Sequence, residues 1–180
     1  QQRRFSYTEL GNAERFVART GHRVRYCPPK KRWFLWDGKR WKLDERECVR
    51  ELMKETVRAM CREASTLEGE DSQRLQDWAS KSKSAYRIRA ALELAQSDPA
   101  VVVLPEVFDT NDWLLNCNNG TIYLKTGELR AHNPKDMITK ICPVDYDPSA
   151  DLPLWYKFLE DVFGSDRDTA MLALIALGYS

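Results

Sequence analysis

Residues 22–43, HRVRYCPPKKRWFLWDGKRWKL, contain three short runs in which aromatic and basic residues alternate. Pro28-Pro29 separates the first run from the second, and Asp37-Gly38 separates the second from the third. Alternation with a period of two is typical of strands, and such dipeptides are typical of turns. The stretch therefore predicts a three-stranded antiparallel meander over about 22–43.

Helical patterns flank this meander. Thr8 and Asp44 are candidate N-caps, and the residues after Asp44 place apolar side chains at i, i+3, i+4 and i+7. The polar stretch 65–73 predicts a loop. We expect helices at about 8–20, 45–64, 74–80 and 84–96.

The C-terminal half contains shorter signals. VVVL at 101–104 predicts a short strand, and Lys125-Thr126-Gly127 predicts the turn of a hairpin over about 120–130. Two further helices are expected at 155–163 and 168–177. Together the elements indicate an α+β fold, mostly helical, with a small antiparallel meander and a hairpin. We expect one domain over 1–150 and the start of another helical segment over 151–180.

The ends of the sequence suggest that it is part of a longer protein. It begins with Gln1 rather than Met, and its last ten residues are a largely apolar stretch without a polar cap. No apolar run approaches the roughly 18 residues that a membrane span requires. We therefore expect no membrane partner and a cytoplasmic location.

Charge is distributed unevenly, although the formal net charge is only +1. Residues 1–62 contain 17 Lys and Arg against 8 Asp and Glu, whereas residues 99–180 contain 6 against 12. Such an asymmetry favours a polyanionic partner for the basic part. The alternative is that the basic part neutralises an acidic part of the same protein.

The patterns of several enzyme classes are missing. The Gly-Lys pair at 38–39 is followed by Arg40, and Trp33 stands where a P-loop has its first glycine. No GxSxG motif is present, and neither His22 nor His132 lies in a catalytic context. We expect no catalytic residue, no bound cofactor and no ATP hydrolysis in these 180 residues.

Metal sites are also not expected. The five cysteines lack the close pairing of zinc ligands, which indicates free thiols in a reducing compartment. They are Cys27, Cys48, Cys61, Cys117 and Cys142. Asp145 and Asp147 could share a strand face and bind Mg²⁺, but prolines at 143 and 148 favour a turn. Asp166 and Asp168 are better placed to begin a helix.

The meander carries the candidate binding residues, because cations neutralise phosphates and aromatic faces stack on bases of single strands. Lys30, Lys31 and Arg32 should project from the turn after Pro28-Pro29. The alternative is structural: Trp33 or Trp36 belongs to the core, and Lys and Arg cover a solvent face. The DNA-binding candidates are Arg23, Arg25, Lys30, Lys31, Arg32, Trp36, Lys39 and Arg40.

Longer motifs resemble a known family, the domain that precedes the superfamily 3 helicase in phage, plasmid and poxvirus primase–helicases. They occur in the expected order along nearly the whole chain. The motifs are GNAERFVARTGHRVRY at 11–26, WFLWDGKRW at 33–41, DWLLNCNNGTIYLKTGELRAHNPKDMITK at 112–140, VDYDPSADLPLWYKFLEDVFG at 144–164 and LGYS at 177–180.

The resemblance implies a replicative protein of a phage, prophage or plasmid, acting in a bacterial host. Its primase domain would lie upstream in many members, and an ATP- and Mg²⁺-dependent helicase that forms a homo-oligomeric ring would lie downstream. This domain would be a non-catalytic adaptor or collar that binds DNA weakly, mainly single strands. The alternative is an assembly module that packs subunits of the ring without contacting DNA.

Overall fold

A computed structural model describes residues 5–179, and the side chains up to residue 176. It confirms the α+β class, with six α-helices and two antiparallel three-stranded sheets in the described part. The elements are α1 Glu9–Thr20, β1 Val24–Cys27, β2 Arg32–Trp36, β3 Trp41–Leu43, α2 Cys48–Ala64, α3 Gly69–Ser82, α4 Ala85–Ala95, β4 Leu114–Cys117, β5 Gly120–Tyr123, β6 Glu128–Arg130, α5 Pro153–Phe163 and α6 Arg167–Tyr179. The side chains of the motif at 177–180 lie outside the described residues.

The chain forms two compact units, one running through Tyr146 and one starting at Asp147. In the second unit, Trp155 and Phe158 of α5 stack with ring centroids 5.5 Å apart. Asp166 caps α6, because its carboxylate accepts from the Thr169 N–H at 3.0 Å and from the Thr169 hydroxyl at 2.7 Å. Within the described residues, no helix has the length and apolar content needed to cross a membrane.

The predicted meander is present, and its register gives each face a distinct set of side chains. β1 and β3 both pair antiparallel with β2, so that Tyr26 lies opposite Trp33 and Trp41 lies opposite Trp36. Val24 and the half-buried Trp33 and Leu35 face the helices, whereas Cys27, Phe34 and Trp41 pack with Val103 on the other face. Both faces are therefore covered, and Trp41, rather than Trp33 or Trp36, is the fully buried tryptophan.

The helical layer consists of α1, α2 and α4. Val49, Met53 and Val57 of α2 are buried against Phe16 of α1 and Ala91 of α4. The helix predicted at 45–64 begins three residues later, at Cys48, because Glu47 adopts a left-handed conformation with φ 55°. Asp44 still caps it: its carboxylate accepts from the N–H groups of Cys48 at 2.8 Å and Val49 at 2.9 Å.

Helix α3 is longer than the helix that the sequence predicts at about 74–80. It begins at Gly69 rather than near 74, inside the stretch expected to be a loop. Its first turn is polar and exposed, with Glu70 and Asp71 at the favourable N-terminal end of the helix dipole. An apolar pattern starts only at Leu75, which packs with Met60 of α2. The first turn of α3 was therefore predicted as loop, because it has no apolar side chains.

Helix α1 has the predicted cap, since the Thr8 hydroxyl accepts from the Gly11 N–H at 3.1 Å. Gly11 lies so close to the preceding chain that a Cβ there would come within 2.0 Å of the Ser6 carbonyl oxygen. Asn12 is fully buried; its amide donates to the Ser82 hydroxyl at 2.9 Å and accepts from the Trp78 indole at 2.9 Å. These bonds attach α1 to α3.

The stretch 101–104 is not a strand. Tyr26 accepts from the Val103 N–H at 2.9 Å and donates to the Val101 carbonyl at 2.8 Å, which makes one isolated parallel bridge. The bridge satisfies backbone groups at the outer edge of β1, where an unpaired strand would otherwise be exposed.

The second sheet extends the predicted hairpin by one strand, because β4 precedes β5 across the two-residue turn Asn118-Asn119. Asn116 of β4 is buried and fixes this sheet to the meander. Its amide donates to the carbonyls of Lys39 and Lys140, both at 3.1 Å, while its oxygen accepts from Thr121 at 3.0 Å. His132 approaches the same oxygen at 2.9 Å.

Replacement of Asn116 by Ala should lower the free energy of unfolding by about 2–4 kcal/mol, because it leaves several buried polar groups without partners. Urea denaturation monitored by circular dichroism measures this change. Gln73→Ala is the control; Gln73 is exposed and bonded only within α3 to Asp77, so the change should stay within about 0.5 kcal/mol. Equal stabilities of the two variants would contradict the role assigned to Asn116.

Candidate nucleic-acid interface

The turn between β1 and β2 presents three cations to solvent. The Lys31 N–H donates to the Pro28 carbonyl at 3.0 Å, and Cys27 pairs with Arg32 directly below the turn. Lys30, Lys31 and Arg32 are all exposed, as predicted from the sequence. The Lys30 ammonium lies 5.9 Å from the centroid of the Phe34 ring. We call these three residues the tip cations.

Other predicted residues lie at the opposite end of the meander. Lys39 is exposed in the turn after β2, where the Asp37 carboxylate accepts from the N–H groups of Lys39 and Arg40, both at 2.9 Å. Arg23 belongs to this end as well, since its carbonyl accepts from the Trp36 N–H at 3.0 Å. The five residues of β2 separate the two ends by about 17 Å.

Three of the predicted DNA contacts have structural partners. Arg25 stacks over Trp41 at 4.6 Å and donates to the Val24 carbonyl at 2.7 Å, and burial lowers the pKa of its guanidinium. Arg40 donates to the Thr139 carbonyl at 3.2 Å and lies 3.9 Å from the Asp37 carboxylate. The half-buried Trp36 packs against Trp41 with ring centroids 5.8 Å apart.

A cleft of about 420 Å³, here called the tip cleft, opens beside the tip cations. One wall is the hairpin formed by β1 and β2, with Lys31, Arg32 and Trp33. The other wall is formed by α2 and α4, with Arg50, Arg89 and Glu93. Arg89 lies 57 residues after Arg32 and is not among the residues predicted from the sequence. No local pattern identifies it, because only the packing of α4 brings it to the cleft.

Charges within the tip cleft are partly neutralised. Arg50 pairs with Glu47 at 2.8 Å, and the Asp44 carboxylate is held by the N-terminus of α2. Within the described part of the chain, Lys31, Arg32 and Arg89 make no ion pair. The whole lining contains four cations against three carboxylates, Asp44, Glu47 and Glu93, so the tip cleft has a small excess of positive charge beside the indole of Trp33.

A second cavity, about 660 Å³, lies near Arg23 and has a different character. Its lining contains five cations and six carboxylates, several from the first turns of α2. Glu51 accepts from both Lys54 at 3.0 Å and Arg58 at 2.8 Å, and these bonds lower the pKa of its carboxyl. This mixed-charge groove offers a polyanion no net attraction.

A comparison with protein families matches residues 13–164 to the family described as D5 N terminal like. This is the domain that precedes the superfamily 3 helicase in phage and plasmid primase–helicases. The chain belongs to this family. A comparison with curated proteins gives no match. Membership in the D5 N-terminal-like family associates the domain with the helicase and primase parts of a replication protein.

The motifs of this D5 N-terminal-like domain have structural roles. In the first motif, Asn12 is buried between helices and Arg15 pairs with Glu63 at 3.0 Å. In the central motif, Asn119 exchanges two hydrogen bonds of 2.9 Å with the backbone of Tyr146. A Cβ on Gly120 would lie 2.5 Å from the Arg130 carbonyl oxygen. These residues therefore fix the fold and lie outside the tip cleft.

Asp147, one of the two acidic residues considered as a magnesium-binding pair, has hydrogen-bond partners of its own. Asp147 accepts from the N–H of Ser149 at 2.8 Å and from its hydroxyl at 2.6 Å, which lowers the pKa of the Asp147 carboxyl. Burial raises the pKa of the Cys117 thiol. Among the residues that the structure describes, no three His, Cys, Asp or Glu side chains come together as potential metal ligands.

Lys31 occupies the left-handed region with φ 51°, a conformation that glycine adopts without steric cost. Lys31→Gly should therefore raise the free energy of unfolding by about 1 kcal/mol, as measured by urea denaturation. Lys30→Gly is the matched control, because it removes the same charge at a neighbouring position with ordinary φ and should be neutral or destabilising. A lower stability for Lys31→Gly than for Lys30→Gly would contradict this account of the turn.

Proposed function

We propose that this chain is a non-catalytic, DNA-engaging adaptor of a replicative primase–helicase, and that the tip cations and the tip cleft form its contact with DNA. The observation that carries the proposal is the cluster of Lys31, Arg32 and Arg89, which come from two separate elements beside Trp33 and make no ion pair within the described residues. Cations of this kind bind phosphates without reading the base sequence.

The parent protein would supply the chemistry. Its helicase domain would bind ATP and Mg²⁺, unwind DNA as a homo-oligomeric ring in the cytoplasm of a bacterial host, and cooperate with a primase domain. In that setting the adaptor holds the strand near the motor rather than acting on it. Weak, salt-sensitive binding suits this role, because a strand that moves through the ring must also be released.

A second function, packing of subunits in the ring without DNA contact, is supported by a separate observation. The outer face of the second sheet is apolar: Leu115 and Leu129 lie on either side of the buried Ile122 and are both exposed. Trp113 is also exposed on this side, with the Lys125 ammonium 4.4 Å from its ring. Such a face is suited to contact another protein surface.

Replacing all three tip cations by Ala should weaken DNA binding and flatten its salt dependence. Each phosphate contact on a single strand contributes about −0.7 to the log–log slope, so three contacts contribute roughly two units. Titrations of a labelled oligonucleotide at several salt concentrations measure the slope. The loss should be similar for different base sequences.

The matched control removes three exposed cations elsewhere, by changing Arg62, Lys81 and Lys83 to Ala. It alters net charge equally and should leave the slope nearly unchanged. If both triple variants bind like the parent chain, the tip is only solvated. If the parent chain fails to bind even at low salt, the packing function replaces the DNA contact.

Self-association distinguishes the second function. We expect the chain alone to sediment as a monomer or to associate weakly, and Leu115→Asp to reduce any association. Leu94→Asp is the matched control, because Leu94 on α4 is also 41% exposed and lies on a different surface from the second sheet. A stable hexamer of the chain alone would favour packing over DNA contact.

A further inference from the structure

We infer that the tip cleft holds one unstacked base of a single strand against the indole of Trp33, with its flanking phosphates on the tip cations and on Arg89. The inference rests on the proposed function, since it assigns a ligand class to the same surface. It adds a base-binding position, a preference for single strands and a contact from the helical layer.

The indole of Trp33 is held firmly yet remains accessible. Phe16 meets it edge-on, with ring centroids 6.1 Å apart and planes at 83°, and Tyr26 packs against it at 5.0 Å. Trp33 is nevertheless only half-buried and lines the tip cleft. An aromatic ring that is fixed by its neighbours and partly open loses little entropy when a base stacks on it.

The dimensions of the cleft favour a single nucleotide. Its volume of about 420 Å³ lies near the lower end of small-molecule sites, which span roughly 300–1,000 Å³. A duplex keeps its bases stacked on each other, so it can offer the cleft only phosphates. A single strand can turn one base into the cleft and gain the stacking energy.

Cations on both walls explain how the strand would be oriented. Lys31 and Arg32 lie on the hairpin wall, and Arg89 lies on the wall formed by α4. Glu93 follows Arg89 by one helical turn and repels phosphate beyond that point. Phosphates on either side of the base would therefore meet the two cationic positions, while the base lies between them.

The first test keeps the protein unchanged and alters the DNA. The parent chain is titrated with a labelled oligothymidylate and with an oligonucleotide of the same length and charge made entirely of abasic nucleotides, at one salt concentration. Stacking of one base contributes about 1–3 kcal/mol, so the abasic strand should bind roughly 5- to 160-fold more weakly. Equal binding of the two strands would overturn the base-stacking inference and leave the phosphate contacts of the proposed function in place.

Variants assign the effect to residues. Trp33→Phe keeps an aromatic side chain in the core but offers a smaller stacking surface, so it should weaken binding of the oligothymidylate and leave the abasic strand unchanged. Equal weakening for both strands would mean that Trp33 acts through the fold, which overturns its assigned role. Arg89→Ala should flatten the salt slope by about 0.7, whereas Arg62→Ala, at the exposed end of α2, should not.

The outcomes separate the two proposals. An unchanged slope in Arg89→Ala removes the helical wall from the site and overturns the two-sided arrangement. If neither strand binds to the parent chain at low salt, the base-stacking inference and the DNA contact of the proposed function both fail. Circular dichroism of each variant shows whether it is folded, and the abasic comparison needs no variant.

Discussion

The structure of the first unit depends on covering both faces of a very small sheet. Three strands of four, five and three residues cannot be stable alone in water. β2 places Trp33 and Leu35 on one face and Phe34 and Trp36 on the other, so each face must be buried by a separate layer. The helices cover the first face, whereas Val103, Phe108 and Met137 contribute to the cover of the second.

Hydrogen bonds hold the chain that covers the second face of the meander in place. The Trp41 N–H donates to the Ile138 carbonyl at 2.8 Å, and its indole donates to the Pro134 carbonyl at 2.8 Å. Asn116 attaches the second sheet to the turn at Lys39. A buried amide with all its bonds made contributes stability, but it is costly if one partner is lost. This dependence gives Asn12, Asn116 and Asn119 of the long motifs a structural role.

Periodicity predicted most of the fold. Strands with a period of two, the caps at Thr8 and Asp44, and the apolar stripe of α2 are local signals, and the structure contains all of them. The predictions that were wrong concern the stretch 101–104 and the start of α3, where local periodicity gives no signal. Tyr26 pairs with Val101 and Val103 only because the chain returns to the edge of β1, and the polar start of α3 has no apolar stripe.

For the candidate interface too, the sequence predicted what depends on local signals and not what depends on long-range packing. Residue type identified the tip cations, because a turn after two prolines exposes its side chains wherever the rest of the chain lies. Residue type could not distinguish Arg25, which stacks on Trp41, from the exposed tip cations, because all of them lie in the same basic stretch of sequence. Nor could it find Arg89, whose relevance depends on how α4 packs beside the hairpin.

Helix α2 makes the two ends of the meander electrostatically different. The carboxylates of its first turns line the mixed-charge groove near Arg23 and compensate the cations there. Asp44 and Glu47 line the tip cleft as well, but Glu47 pairs with Arg50 and Asp44 accepts from two N–H groups at the N-terminus of α2, which offsets part of their negative charge. The lining of the tip cleft therefore has one more cation than carboxylates, whereas the lining of the mixed-charge groove has one more carboxylate than cations. The capping bonds of α2 thus stabilise the helix and also hold the Asp44 carboxylate at the helix N-terminus, and within the described residues the tip cations make no ion pair.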